Sequence, residues 1–220
     1  SYTIGKNGDL EGKTVVESAG GTVEPIDPVR VITTHSSGKM GYALAEAARD
    51  RGADVFLVTA PTSLPNPALV NVVQVQTARQ MGEAIKSHLN EADALIMAAA
   101  VADYRPVTTA DHKIKKTEDD LNIPLAKTED ILKSVEGNYV RVGFAAESQN
   151  LVENAKAKVT SKNLDLIVAN DITSEGSGFG SDTNQVTLID RDLRVEELPL
   201  LTKYDVSNRI LDRVRDLIRD

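Results

Sequence analysis

HSSGKMGYALAEAARDRGADVFLV, residues 35–58, carries two periods in succession, and that succession decides the fold. Met40, Ala43, Leu44, Ala47 and Ala48 recur at helical spacing, and the alanines among them let a helix lie close against a sheet. The run 55–58 that follows is short and apolar, as a buried strand is. Outward from this unit, similar runs stand at 14–16, 94–100, 140–144 and 164–169. Helical patterns separate them: Met81, Ala84, Ile85 and Leu89 mark one, and Leu151, Val152, Ala155 and Val159 another. Strands alternating with helices in this order predict an α/β fold with a mainly parallel sheet flanked by helices.

After Asn170 the pattern changes. A Gly/Ser stretch, SEGSGFGSD, precedes NQVTLIDRDLRVEELPL, two strand-like runs parted by Arg191 and Asp192. These read as a β-hairpin added to the sheet. From Tyr204 onward Val206, Ile210, Val214 and Leu217 share one helical face, the pattern of a capping helix,. Between Tyr104 and Lys127 the chain is polar, charged and without apolar period. That connection is longer than usual and marks a flap, either functional or partly disordered.

Composition narrows the function. Aromatic residues make up 4% and Trp is absent, so the core must be built from Val, Ile, Leu and Ala, as in parallel strands buried on both faces. A formal net charge of −8 argues against a protein that wraps nucleic acid, because such binding neutralises phosphates with a basic surface. An anionic ligand must then meet a local cationic site. The absence of cysteine excludes disulfides, thiolate metal sites and a Cys nucleophile, and fits a reducing, cytoplasmic setting. His35, His88 and His112 are too scattered to make a His-rich metal centre. No stretch approaches the roughly 20 apolar residues of a membrane span, and the first residues lack the apolar core of a signal peptide. The polar lead, residues 1–12, reads as a linker from a missing upstream domain, with 13–220 a single domain.

Several short motifs carry chemistry, each with an ordinary reading beside it. SAGGT, residues 18–22, follows the first strand, where glycines let backbone amides approach a phosphate or simply make a tight turn,. HSSGKMG, residues 35–41, places two hydroxyls, a glycine and a lysine before the Ala-rich helix. This is either an anion site at a helix N-terminus or a Ser N-cap. MAAAVADYRP, residues 97–106, lies at the carboxyl end of the third strand, with Asp103 and Arg105 just beyond three consecutive alanines. KIKK, residues 113–116, suits a flap closing on phosphates, though a basic run is usually solvated surface. Lys158 and Lys162, four residues apart, share a helical face and can aim two ammonium groups at one anion,. GSGFG leads into a strand pattern and reads as a loop, and Tyr2 with Lys6 matches a dehydrogenase spacing only in the leader.

SAGGT, EPIDPVR (residues 24–30), HSSGKMG, AAAVADYRP, KIKK, VGFAAE (residues 142–147) and LDLIVAND (residues 164–171) together resemble phosphopantothenoylcysteine synthetase, in order and from about Gly12 to the end. That family is commonly the C-terminal half of a bifunctional coenzyme A biosynthesis protein whose other half is a flavin-dependent decarboxylase. The resemblance implies a Rossmann-like fold, a homodimer, CTP as co-substrate and Mg²⁺. It implies that 4′-phosphopantothenate attacks the α-phosphate of CTP and that cysteine then displaces CMP from the acyl-cytidylate. It places the nucleotide on Met97, Ala98, Ala99, Asp103, Lys113, Glu129, Asp130, Ile131, Leu132, Phe144, Lys158 and Lys162, with Asp103 also toward the metal. Lys113, Thr34 and Arg30 are its catalytic candidates, the last two in the acyl-substrate region. Two positions depart from the family pattern: Val23 stands where Arg is expected and Thr34 where Asn is expected. Glu17 in the first strand is a third unexpected residue. A nucleotide-binding but catalytically impaired relative is therefore the second reading, and a dinucleotide oxidoreductase on a related fold the third.

Overall fold

A computed structural model describes residues 8–116, 120–147, 150–171 and 180–218. Eight strands form the main sheet: β1 (Thr14–Ala19), β2 (Asp54–Thr59), β3 (Asn71–Gln74), β4 (Ala94–Met97), β5 (Val140–Glu147), β6 (Leu166–Asp171), β7 (Val186–Asp190) and β8 (Val195–Glu197). Their spatial order is β8-β7-β6-β5-β4-β1-β2-β3. The strands from β3 to β6 are mutually parallel. β7 and β8 are antiparallel, the added hairpin that the sequence predicts. This is the doubly wound arrangement in which the strand order reverses beside β1.

The helices are α1 (Lys39–Asp50), α2 (Ala78–His88), the single turn α3 (Ile131–Ser134), α4 (Leu151–Ser161) and α5 (Lys203–Leu217). They divide the core into two layers. Val15, Leu57 and Ile96 pack with Leu44 of α1 and Ile210 of α5 on one face of the sheet. Val16, Val58 and Leu95 pack with Ile85 of α2 and Val159 of α4 on the other. The alanines of α1 serve a close approach: a Cβ on Gly41 would fall 2.6 Å from Cβ of Ala19. Helix starts follow local chemistry. α2 opens with a capping box in which Thr77 and Gln80 satisfy each other's backbone amides,, and Thr202 caps α5 through the amide of Asp205,.

Leu10, inside the stretch read from sequence as a linker, is 1% exposed and belongs to the core. The edge strand β3 has no sequence signal, because NVVQ is short and only half-buried. The flap segment is partly ordered by pairing of its own ends, Tyr104–Pro106 with Leu125–Lys127. A second ribbon pairs Val23–Pro25 with Val31–Thr33. Most of GSGFG, and Tyr2 with Lys6, lie outside the described residues. Among the described residues no helix is long and apolar enough to cross a membrane.

Candidate functional site

Chain crossover at β1 leaves a crevice beyond the carboxyl ends of β1, β4 and β5, where open α/β sheets bind ligands. A cleft of about 900 Å³ opens there. Its floor is built where β4 ends at Met97 and the chain continues through Ala98, Ala99 and Ala100, with Phe144 and Ala145 of β5 beside it. This floor is fixed by backbone: Ala100 N–H donates to Gly20 O at 2.8 Å and Thr22 N–H to Ala100 O at 3.2 Å. Ser18 and Thr22 hydroxyls accept from the Ala99 and Ala102 amides at 3.1 and 2.9 Å.

The glycines of SAGGT thus support the floor and do not line the cleft. A Cβ on Gly20 would fall 2.8 Å from Ala60 O, and one on Gly21 the same distance from Thr34 Oγ1. The phosphate reading of that motif gives way to close backbone packing.

HSSGKMG behaves differently. Its residues form one wall of the cleft. The N-cap position of α1 is Gly38 in the left-handed region (φ 76°), which has no side chain to cap the helix, and the Ser36 and Ser37 hydroxyls accept from the Gly38 and Lys39 amides at 3.4 Å. The amide end of α1 faces the cleft with its dipole. Lys39 reaches Asp182 at 2.7 Å and Gly180 O at 2.9 Å. Beside it, Lys203 is 7% exposed and donates to Thr183 O at 3.0 Å. Burial, with the Lys39 ammonium adding to it, holds the Lys203 amine below the usual lysine range, against the pull of Asp182,.

The opposite wall comes from the segment leading into α3 and from α4. Asp130 caps α3 and pairs with Lys162 at 3.0 Å, and Glu129 pairs with Lys86 of α2 at 3.1 Å. The buried guanidinium of Arg141 donates to Leu132 O, fixing the far end of the same turn. Lys158 lies one turn before Lys162 and faces the same cleft. Five lysines line the cleft (39, 127, 158, 162 and 203) against three carboxylates (Asp103, Glu129 and Asp130). In a chain of net charge −8 this is a local cationic field, suited to a polyanion.

Of the nucleotide and catalytic residues that the resemblance implies, all but Arg30 and Lys113 line this one cleft. Lys113 is exposed, and the Arg30 guanidinium is engaged by Ile114 O at 2.6 Å and Asp27 Oδ2 at 3.5 Å. Arg105 also stands outside, its guanidinium on Pro106 O. Thr34 is at the floor, its hydroxyl donated to Ala100 O at 2.9 Å. Lys203 and Asn184 are lining residues that sequence reasoning missed. Lys203 opens a helix that reads only as an amphipathic cap. Among the described residues no group of three or more His, Cys, Asp or Glu side chains is placed to hold a metal. Asp103 alone fits the mode in which Mg²⁺ takes one carboxylate and the rest of its ligands from phosphates and water.

The profile of a family described as "DNA/pantothenate metabolism flavoprotein C-terminal domain" matches residues 10–218. The chain is 49% identical over 212 residues to "Coenzyme A biosynthesis bifunctional protein CoaBC" of Bacillus subtilis (strain 168), covering 94% of this chain and 52% of that protein. It thus spans about half the length of the curated relatives it matches. A crystal structure of the C-terminal domain of a CoaBC protein superposes with a TM-score of 0.82 at 42% identity, over 96% of this chain and 98% of that one. A Cab2 variant in complex with phosphopantothenate-cysteine shares the fold at 18% identity, with a TM-score of 0.73 over 93% of this chain and 87% of its own.

Proposed function

Since the chain belongs to the family of DNA/pantothenate metabolism flavoprotein C-terminal domains, we propose that it ligates 4′-phosphopantothenate to cysteine in a CTP-dependent reaction of coenzyme A biosynthesis. The observation that carries this reading is the cationic cleft at the strand-order reversal, with lysines on both walls of an otherwise acidic protein.

In the first step a carboxylate oxygen of 4′-phosphopantothenate forms a bond to the α-phosphorus of CTP. The bond to the β-phosphate oxygen breaks, and pyrophosphate leaves. Negative charge spreads over the phosphoryl oxygens as this happens, and fixed cations stabilise it without reorganising. Lys158 on α4 and Lys162 at its C-cap face the phosphates in this scheme, while the amide end of α1 with Lys39 and Lys203 receives the other anionic end of the bound pair. Ala98 and Ala99 give the base a flat bed beside Phe144. Asp103 would hold Mg²⁺ together with the phosphates, and the ion would supply charge neutralisation there. In the second step the amine of cysteine attacks the acyl carbon, CMP departs with the bonding electrons, and the amine proton is released.

Lys113 and Arg30 fit this scheme through a second copy of the chain. Val29, Val31, Tyr104 and Val107 are exposed apolar side chains on and beside the two ribbons, and a homodimer that buries them would bring the flap lysine of one protomer to the cleft of the other.

A second reading, a protein that binds nucleotide but completes the reaction poorly, draws support from Thr34, whose donor proton is already given to Ala100 O. The test is pyrophosphate release with 4′-phosphopantothenate and each nucleoside triphosphate, with and without cysteine. Release that requires CTP and product formation that requires cysteine support the ligase. CTP binding without turnover supports the second reading, and no CTP binding overturns both.

A further inference from the structure

Asp27 lies in EPIDPVR, between the two strands of the ribbon Val23–Pro25 and Val31–Thr33. Its side chain is wholly buried, yet it does not line the cleft. Its two oxygens have separate partners. Oδ1 accepts from the amides of Val29 and Arg30, each at 2.8 Å, which shapes the turn. Oδ2 accepts from the amide of Ile114 at 3.1 Å, a residue 87 positions away on the flap. The Arg30 guanidinium lies 3.5 Å from that same oxygen and donates to the carbonyl of Ile114 at 2.6 Å. An ion pair therefore grips both the donor and the acceptor of one flap residue, and that residue directly follows Lys113.

The rest of the flap's first half runs alongside. Ala110 N–H donates to Ile26 O at 2.9 Å and the Thr109 hydroxyl to Pro25 O at 3.0 Å. Beyond Ile114 come the exposed Lys115 and Lys116. The turn needs only Oδ1, and the flap adds little to the core, since its side chains from Val107 to Lys116 are exposed or at most half-buried. A latch on Ile114 is thus poorly explained by stability. It is well explained if the position of the neighbouring lysine matters, because a long, mobile ammonium stabilises charge only where its stem is fixed.

We infer that Asp27 is a positioning residue for Lys113, setting the flap lysine through the Ile114 peptide without itself touching substrate. This rests on the ligase reading above. Hydrogen bonding to backbone amides holds the Asp27 carboxyl below its ordinary range despite burial, so the latch is ionised at neutral pH,.

Asp27→Asn dissects the latch, since an amide keeps one acceptor for the turn but replaces the other with a donor that repels the Ile114 N–H. The experiment is a double-mutant cycle on the rate of pyrophosphate release with Asp27→Asn, Lys113→Gln and the pair, alongside hydrogen exchange at the Ile114 amide. Asp27→Asn is expected to lower kcat tenfold or more, to add no further loss in the Lys113→Gln background, and to speed exchange at Ile114 while exchange in β4 and β5 is unchanged. Losses that multiply in the double variant would overturn the inference, because Asp27 would then act apart from Lys113. Unchanged Ile114 exchange would overturn it whatever the kinetics. Should Asp27→Asn fail to fold, Ile114→Pro removes the amide from the flap side, and the same loss and the same non-additivity are expected. A parent protein that neither binds CTP nor releases pyrophosphate would refute the ligase reading instead, and the latch would stand or fall on exchange alone.

Discussion

The hydroxyl of Thr34 donates across 2.9 Å to the carbonyl of Ala100, joining the HSSGKMG wall of the cleft to its floor. A hydroxyl has one proton to give, and here it is given to the protein. Thr34→Asn adds a planar group with two donor hydrogens and an acceptor. A well-placed donor in the cysteine step is worth about 3 kcal/mol, roughly a hundredfold in rate. Thr34→Asn is therefore expected to speed cysteine-dependent CMP release selectively, with the first burst of pyrophosphate little changed. Pre-steady-state release of both products measures this, and equal CMP release would show that the hydroxyl already suffices.

Asp103 follows the alanine floor, and its backbone carbonyl is anchored by the Thr128 amide at 2.9 Å, which leaves its exposed carboxylate at the cleft. Asp103→Asn is expected to raise the CTP and Mg²⁺ concentrations needed for half-maximal rate by about tenfold, the loss of one charge-assisted contact of about 1.5 kcal/mol. Titrations of CTP and Mg²⁺ that coincide with the parent's would remove Asp103 from the site.

The placement of Lys113 outside its own chain's cleft makes a mixing experiment informative. At CTP and Mg²⁺ concentrations well below those that half-saturate the parent, Lys113→Gln and Asp103→Asn are each expected to be poorly active alone. Unfolded, mixed and refolded together, they should recover about a quarter of the parental activity, since half the dimers then carry one intact site. No recovery in a mixture shown by mass to contain heterodimers would place Lys113 at its own protomer's cleft.

Glu17 is buried on the α1 face of β1, opposite Leu57 and Ile96 on the neighbouring strands, and among the described residues neither carboxyl oxygen has a hydrogen-bond partner. Burial pushes its pKa well above 4.5. The unfolded chain releases this proton near pH 4.5, whereas the folded protein keeps it. Stability should therefore fall as pH rises above that value, until the folded carboxyl also ionises. Glu17→Gln should flatten that slope, and Glu17→Leu should also raise stability at neutral pH by about 1–3 kcal/mol. Urea unfolding from pH 4.5 to 8 checks both, and a parent whose stability is level over that range would contradict them.

Legibility in the sequence followed burial. β1, β2, β4, β5 and β6 are covered on both faces, so each leaves a short apolar run, even though Glu17 interrupts β1 and Arg141 interrupts β5. β3 lies at the edge, half-buried, and NVVQ carries no such run. The two ribbons pair only three residues a side, too few for any period to register. In the site, Lys158 and Lys162 were readable because helical spacing alone puts them on one face. Lys203 was not, because it reaches the cleft only through packing of α5 on α1, a contact between segments more than 150 residues apart. EPIDPVR entered only through the resemblance, and its latch left no local signal, since the hydrogen bond from Ile114 crosses 87 positions.

The packing of α5 against α1 also orders events at the ribosome. α1 and the first strands emerge before α5, and the layer over α1 stays open until Val206, Ile210 and Val214 arrive. Lys203, at the first turn of that last helix, completes the cationic wall at the same moment. A nascent chain stopped before residue 203 carries an uncovered Ala-rich surface, the kind of transiently exposed patch that chaperones hold, and a cleft without one of its cations. Emergence of this helix and competence to bind a polyanion are thus tied together.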